Sequence, residues 1–195
     1  MKKVFIIVLS LFILQQSLVA MEQEDLKKHF LNKIDEVVQI VQIEKDKSIR
    51  NSKIIDTLNP TFDFVLMAKL SLGKNWKTLT NIQRKEFVKE YVNRMKNSYS
   101  SKLDSYSDQK IEVSSTKQPK KNRIELVTNL IGNNEKLEIS YKFYLPSKKK
   151  ENKDKWLIYD VMILGVSILK TDKAQFSEFL QNNSIEDLIV QLKKS

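Results

Sequence analysis

The chain predicts an α+β domain in which helices cover one face of an antiparallel sheet. Three observations carry this. Apolar residues recur every three or four positions from Leu26 to Tyr106, the period drops to two between Lys110 and Ile163, and the helical spacing returns after Thr171. That order gives four helices, a meander of about four strands and two closing helices, an arrangement that segregates helices from strands.

The first helix carries Leu26, Phe30, Ile34, Val37, Val38 and Val41 on one side and Lys27, Lys28, Asp35 and Glu36 on the other. His29, the chain's one histidine, stands beside a lysine pair and reads as a surface residue. A second helix spans 47–58 and buries Ile49, Ile54, Ile55 and Leu58. Asn59-Pro60 reads as the start of a third, with Asn as cap and Pro preorganised for the first helical turn. The stretch from Phe62 to Leu72 is apolar nearly all round and needs cover on more than one side. Gly73 supplies a left-handed end. Thr80 and Gln83 form a capping box that opens the long helix of Phe87, Val88, Tyr91, Val92, Met95, Tyr99, Leu103 and Tyr106.

Strands are expected over 110–117, 124–131, 137–145 and 156–163. Gly132-Asn133-Asn134 turns the second into the third. The lysine-rich stretch from Pro146 to Lys155 reads as a mobile loop. Asp160 sits among apolar residues and needs a partner: backbone, an arginine such as Arg94, or solvent at an edge. Gly165 marks a bulge or bend. Thr171-Asp172 opens a helix burying Phe176, Phe179 and Leu180, and Ser184 to Asp187 caps a last one carrying Leu188, Ile189 and Leu192.

Lys2 and Lys3, the apolar run Val4 to Leu14 and the small residue Ala20 have the anatomy of a secretory signal peptide. The apolar run is shorter than the roughly 20 residues of a membrane span. Residues 1–20 are therefore read as a signal and 21–195 as one domain. The formal net charge is +10, of which the signal lysines account for two. An exported basic protein meets no chromosomal DNA, so the polyanions open to it are lipid headgroups, an envelope surface or an acidic partner. A lysine-rich surface that only solubilises accounts for the same charge.

The chain has no cysteine, one histidine and three glycines. That removes thiol chemistry, leaves few metal ligands and makes a backbone phosphate cradle improbable; no hydrolase elbow or zinc-helix motif occurs. The carboxylates sit mostly beside lysines on helix faces, where solvated ion pairs account for them. The balance favours binding over catalysis, and no cofactor is expected.

Two separated sets of residues resemble one family. The first is Pro60-Thr61-Phe62-Asp63-Phe64, Met67-Ala68, Leu72-Gly73, Trp76, Gln83-Arg84, Phe87 and Tyr99. The second is Trp156 to Val161, Gly165 to Ile168, Gln175-Phe176 and the helix Leu188 to Leu192. Both resemble the MlaC family, the toluene-tolerance auxiliary proteins, over nearly the whole mature chain. Thr80-Asn81 lacks a proline common at that place, and the 146–155 loop is unusually basic; neither touches the motifs.

The resemblance implies a periplasmic phospholipid carrier with an NTF2-like half-barrel, its acyl chains held in an apolar cavity between a curved sheet and the helices. It implies two partners, an inner-membrane ABC transporter with an MlaD-like component and an MlaA-like outer-membrane lipoprotein complex, so that lipid asymmetry of the outer membrane is maintained. It implies no nucleic acid and no enzymatic activity. On that reading Leu137, Ile139, Tyr141, Phe143, Val161, Ile163 and Val166 of the sheet face Met67, Leu70, Phe87, Tyr91, Met95 and Tyr99 of the helices around the lipid tails. Two alternatives stay open. An NTF2-like enzyme would use Asp160 or Asp63 as acid or base with a raised pKa, and an adaptor would bury the same apolar stripe as plain core.

Overall fold

The computed structural model describes residues 2–103, 110–132 and 136–194, with side chains described from Ala20 to Ser98 in the first of these ranges. Helices α1 (Lys2–Ile43), α2 (Lys47–Leu58), α3 (Phe64–Leu72) and α4 (Asn81–Leu103) precede the sheet, and α5 (Ile168–Phe179) and α6 (Ile185–Lys193) come after it. The strands are β1 (Lys110–Lys120), β2 (Arg123–Ile131), β3 (Lys136–Tyr144), β4 (Leu157–Ile163) and the two-residue β5 (Val166–Ser167), paired in chain order and all antiparallel. Among the described residues no helix is long and apolar enough to cross a membrane.

The expected order holds, with a fifth strand just after the bend that Gly165 predicts. Leu164 and Gly165 adopt positive φ of 49° and 79°, closing a tight turn that lets Val166 and Ser167 pair back onto β4. Register shifts in β1 and between β3 and β4 bulge the sheet; such bulges bend and twist strands. Alternation then sends Ile124 and Leu126, with their partners Phe143 and Tyr141, to the face that the helices cover.

Several local signals operate as expected. Helix α2 has the expected bounds, capped by Asp46, whose carboxylate accepts from Ile49 N–H, although Ile49 itself is half exposed. The capping box of α4 is complete: Thr80 N–H donates to Gln83 Oε1 at 2.8 Å and Gln83 N–H to Thr80 Oγ1 at 3.2 Å. Ser184 and Asp187 form the same device on α6. Gly73 ends α3 at φ 55°. Tyr106, Asn133 and Asn134 lie outside the described residues.

Three expectations are corrected. Asn59 to Thr61 form only a 3₁₀ turn; Phe62 is extended and bridges Ile158 of β4, and α3 begins with Asp63 as its cap. Helix α5 begins at Ile168, three residues before Thr171, because Ser167 Oγ accepts from Lys170 N–H and takes the cap. The 146–155 loop is fastened instead of free. Lys150 reaches Asp63, Lys153 donates to the carbonyls of Asn59 and Phe62, and Asp154 accepts from Thr61 Oγ1 at 2.8 Å and lies 3.0 Å from His29 Nε2.

Candidate functional site

The layer between helices and sheet brings together most of the side chains assigned to the lipid wall. Helix α3 is apolar nearly all round, so it buries Met67, Ala68 and Leu72 against neighbours on two sides, α4 and α5. On α4 the four-residue step from Phe87 to Tyr91 to Met95 lines one face, and all three are buried. From the sheet come Phe143 and Val161, also buried, with Ile139, Tyr141 and Ile163 half-buried against them. Burying each large side chain of this set contributes about 1.5–3 kcal/mol.

Two of the assigned residues stand elsewhere. Leu70 is 37% exposed and Val166 61% exposed, so neither is covered within this layer. For Leu70 the reason is helix phase: Met67, Ala68 and Leu72 take the covered sides of α3. Val166 pairs with Ile163 and so shares its sheet face, but it stands on the short edge strand beyond the tight turn, where the helices do not cover it. Leu137 is half-buried and lies outside the central cluster, and the side chain of Tyr99 lies outside the described residues.

The sheet wall has an occupant that periodicity does not single out. Phe30 of α1 lies with its ring centroid 4.6 Å from that of Tyr141 and 5.9 Å from that of Phe143. On the helical side Phe176 of α5 meets Phe87 and Tyr91 edge-on at 5.9 and 6.3 Å. Both residues read as buried helix positions from spacing; nothing local says which wall they meet. The layer is therefore lined by rings from three helices and one strand.

Most polar groups at the edge of this layer are paired, although Arg94 Nε is buried without a hydrogen-bond partner among the described residues. Tyr91 OH donates to Asp172 Oδ2 at 2.9 Å, and Arg94 Nη2 donates to Asp172 Oδ1 at 2.6 Å while its guanidinium lies 5.4 Å from the rings of Tyr91 and Phe176. Arg94 thus serves Asp172, not Asp160. Asp160 accepts from Ser167 Oγ and Leu169 N–H and pairs with Lys142 Nζ at 3.3 Å. That is the backbone and cation partnership a buried carboxylate requires.

Asp63 is the other acid the enzymatic alternative needs. Burial alone would raise its carboxyl, but hydrogen bonds from the Lys150 ammonium, the Tyr144 hydroxyl and Leu66 N–H outweigh burial and hold it below the ordinary aspartate range. A proton-transfer role wants the opposite shift. Burial, followed by the bond to Asp63, raises the Tyr144 hydroxyl; Lys150 is raised because its own burial, which lowers it, is outweighed by its bond to Asp63.

Comparison with known proteins places this architecture. The family model described as MlaC protein matches residues 31–194. The intermembrane phospholipid transport system binding protein MlaC of Haemophilus influenzae is 26% identical over 155 residues, covering 79% of this chain and 72% of that protein. The phospholipid-binding protein of Ralstonia solanacearum, solved in complex with a phospholipid, superposes with a TM-score of 0.72 at 17% identity, over 88% of this chain and 94% of that one. At that identity the superposition speaks for the fold alone. The family match spans most of the chain, from the first helix to the last: this protein belongs to the MlaC family.

Proposed function

We propose that the protein is a periplasmic phospholipid carrier, exported by a cleaved signal, that takes lipid between an outer-membrane lipoprotein complex of MlaA type and an inner-membrane ABC transporter with an MlaD-like component. The observation that carries this reading is family membership over 31–194 joined to a ring-lined apolar layer between sheet and helices. A relative named for intermembrane phospholipid transport and a shared fold with a protein solved on a phospholipid support it.

In this reading the acyl chains enter between the half-barrel sheet and α4, against Phe87, Tyr91, Met95, Tyr141 and Phe143, and part the side chains that otherwise pack there. Leu70 and Val166 then flank the opening, where exposed apolar residues meet the part of the cargo nearest the surface. The cargo needs neither catalysis nor a resident cofactor. Asp63 and Asp160 serve as cap, ion-pair and strand-to-helix fastening, which supports a non-enzymatic protein.

Transfer of a fluorescent phospholipid from donor to acceptor vesicles tests it. A carrier accelerates transfer in proportion to its concentration; no acceleration across phospholipid classes would contradict the reading.

A further inference from the structure

The face of the sheet turned away from the core carries a groove that lipid carriage does not use. Because Ile124, Leu126, Tyr141 and Phe143 face the helices, their strand neighbours Arg123, Glu125 and Lys142 face outward. With Lys120 at the end of β1 and Tyr159 at the β4 bulge they line a groove of about 450 Å³. Its cations are held in place. The Arg123 guanidinium lies 5.4 and 5.3 Å from the ring centroids of Tyr144 and Tyr159, and its Nη1 donates to Asn122 O at 2.9 Å. Lys142 is anchored on Asp160 and its side chain is 22% exposed.

More positive charge surrounds the groove. Leu145 N–H donates to Asn122 O, which sets the start of the lysine loop beside the β1–β2 turn. There Lys120, Lys121, Lys148 and Lys149 are exposed and take part in no ion pair among the described residues. This is the end of the sheet where β2 starts and β3 finishes. The apolar tip with Leu164 and Val166 stands toward the other end: Leu164 N–H donates to Glu138 O, six residues along β3 from Tyr144, roughly 20 Å at the usual rise per residue.

We propose that this groove docks an acidic segment of a partner protein at a surface distinct from the lipid opening. A bilayer is read by protruding lysines on a flat or convex surface, whereas Arg123 and Lys142 sit recessed, where only an inserted segment makes contact. A guanidinium packed against two rings set edge to face has its planar fork preset for a carboxylate. Glu125 in the same groove requires that the segment also present a donor or a cation among its acids. A partner bound here leaves the opening at the far end free. The inference stands apart from the carrier reading, because nothing in its test depends on lipid load.

The test is NMR titration of isotope-labelled mature protein with a short synthetic Asp/Glu peptide containing one lysine, and in parallel with anionic phosphatidylglycerol vesicles. Saturable shifts of the Arg123, Glu125, Lys142 and Tyr159 amides by the peptide, weakened by salt, are expected. Arg123→Gln should weaken peptide binding about tenfold, the loss of one charge-assisted contact. Lys120→Gln, at an exposed residue, should weaken it several-fold without touching the fold. Shifts spread over lysines throughout the surface, no shifts at all, or groove shifts with vesicles and none with peptide would each overturn the proposal.

Discussion

The ring of Phe30 lies 4.6 Å from that of Tyr141, so the first helix rests directly on the sheet position expected to face lipid. Phe30 is 2% exposed, and its contacts join α1 to β3. Phe30→Ala should cost about 3–5 kcal/mol, the usual range for emptying a buried phenylalanine site. Urea unfolding of the mature protein measures this; a loss below about 1 kcal/mol would mean that α1 does not hold the sheet.

Asp172 is the point where α4 and α5 are joined, accepting from both Tyr91 and Arg94. Asp172→Asn leaves a partly buried guanidinium without its counter-charge and should cost about 3–5 kcal/mol. The pair Arg94→Met with Asp172→Leu removes both charges and should recover most of that loss. Thermal unfolding of the single and double variants checks the difference.

The pH dependence should show the Asp63 cluster. A carboxyl whose folded pKa is depressed contributes stability above its unfolded value, near 3.9, and loses it as pH falls through the folded pKa. Lys150 and Tyr144 are raised, so their contribution is complete below about pH 10 and is lost as pH rises through their folded values. Asp63→Asn keeps the cap on Leu66 N–H but removes the charge. It should lower stability at pH 7 by about 1–3 kcal/mol and flatten the acid limb, as read from denaturant midpoints between pH 3 and 7.

Much of the fold is legible in the sequence because its signals are local. The capping boxes at Thr80 and Ser184, the bounds of α2 and the alternation of β2 and β3 each depend on residues a few positions apart. The differences have non-local causes. Phe62 is drawn into an extended conformation by Ile158, almost a hundred residues on, so the helix expected from Asn59-Pro60 waits for Asp63. Ser167 caps α5 while bonded to Asp160 on β4, and the lysine loop is fastened by Asp63 and the carbonyls before α3. No period in the sequence announces such partners.

The wall assignments divide for a related reason. Four-residue spacing puts Phe87, Tyr91 and Met95 on one face, and the sheet alternation does the same for Tyr141 and Phe143. Periodicity does not say which face of an all-apolar helix is covered, so it groups Leu70 with Met67. Nor does it register that the two-residue turn at Leu164-Gly165 places Val166 on a short edge strand that the helices leave uncovered.

Val166 offers a variant that separates folding from carriage. As an exposed rim residue it should accept Val166→Glu with less than about 1 kcal/mol change in stability. A charge at the opening should nevertheless reduce vesicle-to-vesicle transfer by at least tenfold, because a carboxylate resists transfer into hydrocarbon. Full transfer by a well-folded Val166→Glu protein would move the opening elsewhere.

Whether the chain carries lipid at all is decided by native mass spectrometry of the mature protein purified from its host, followed by organic extraction of its cargo. Co-purified phospholipid at about one molecule per chain is expected, held by apolar burial and released on denaturation. An unliganded mass, with no uptake from liposomes either, would contradict the carrier reading and leave the ring-lined layer as a core alone.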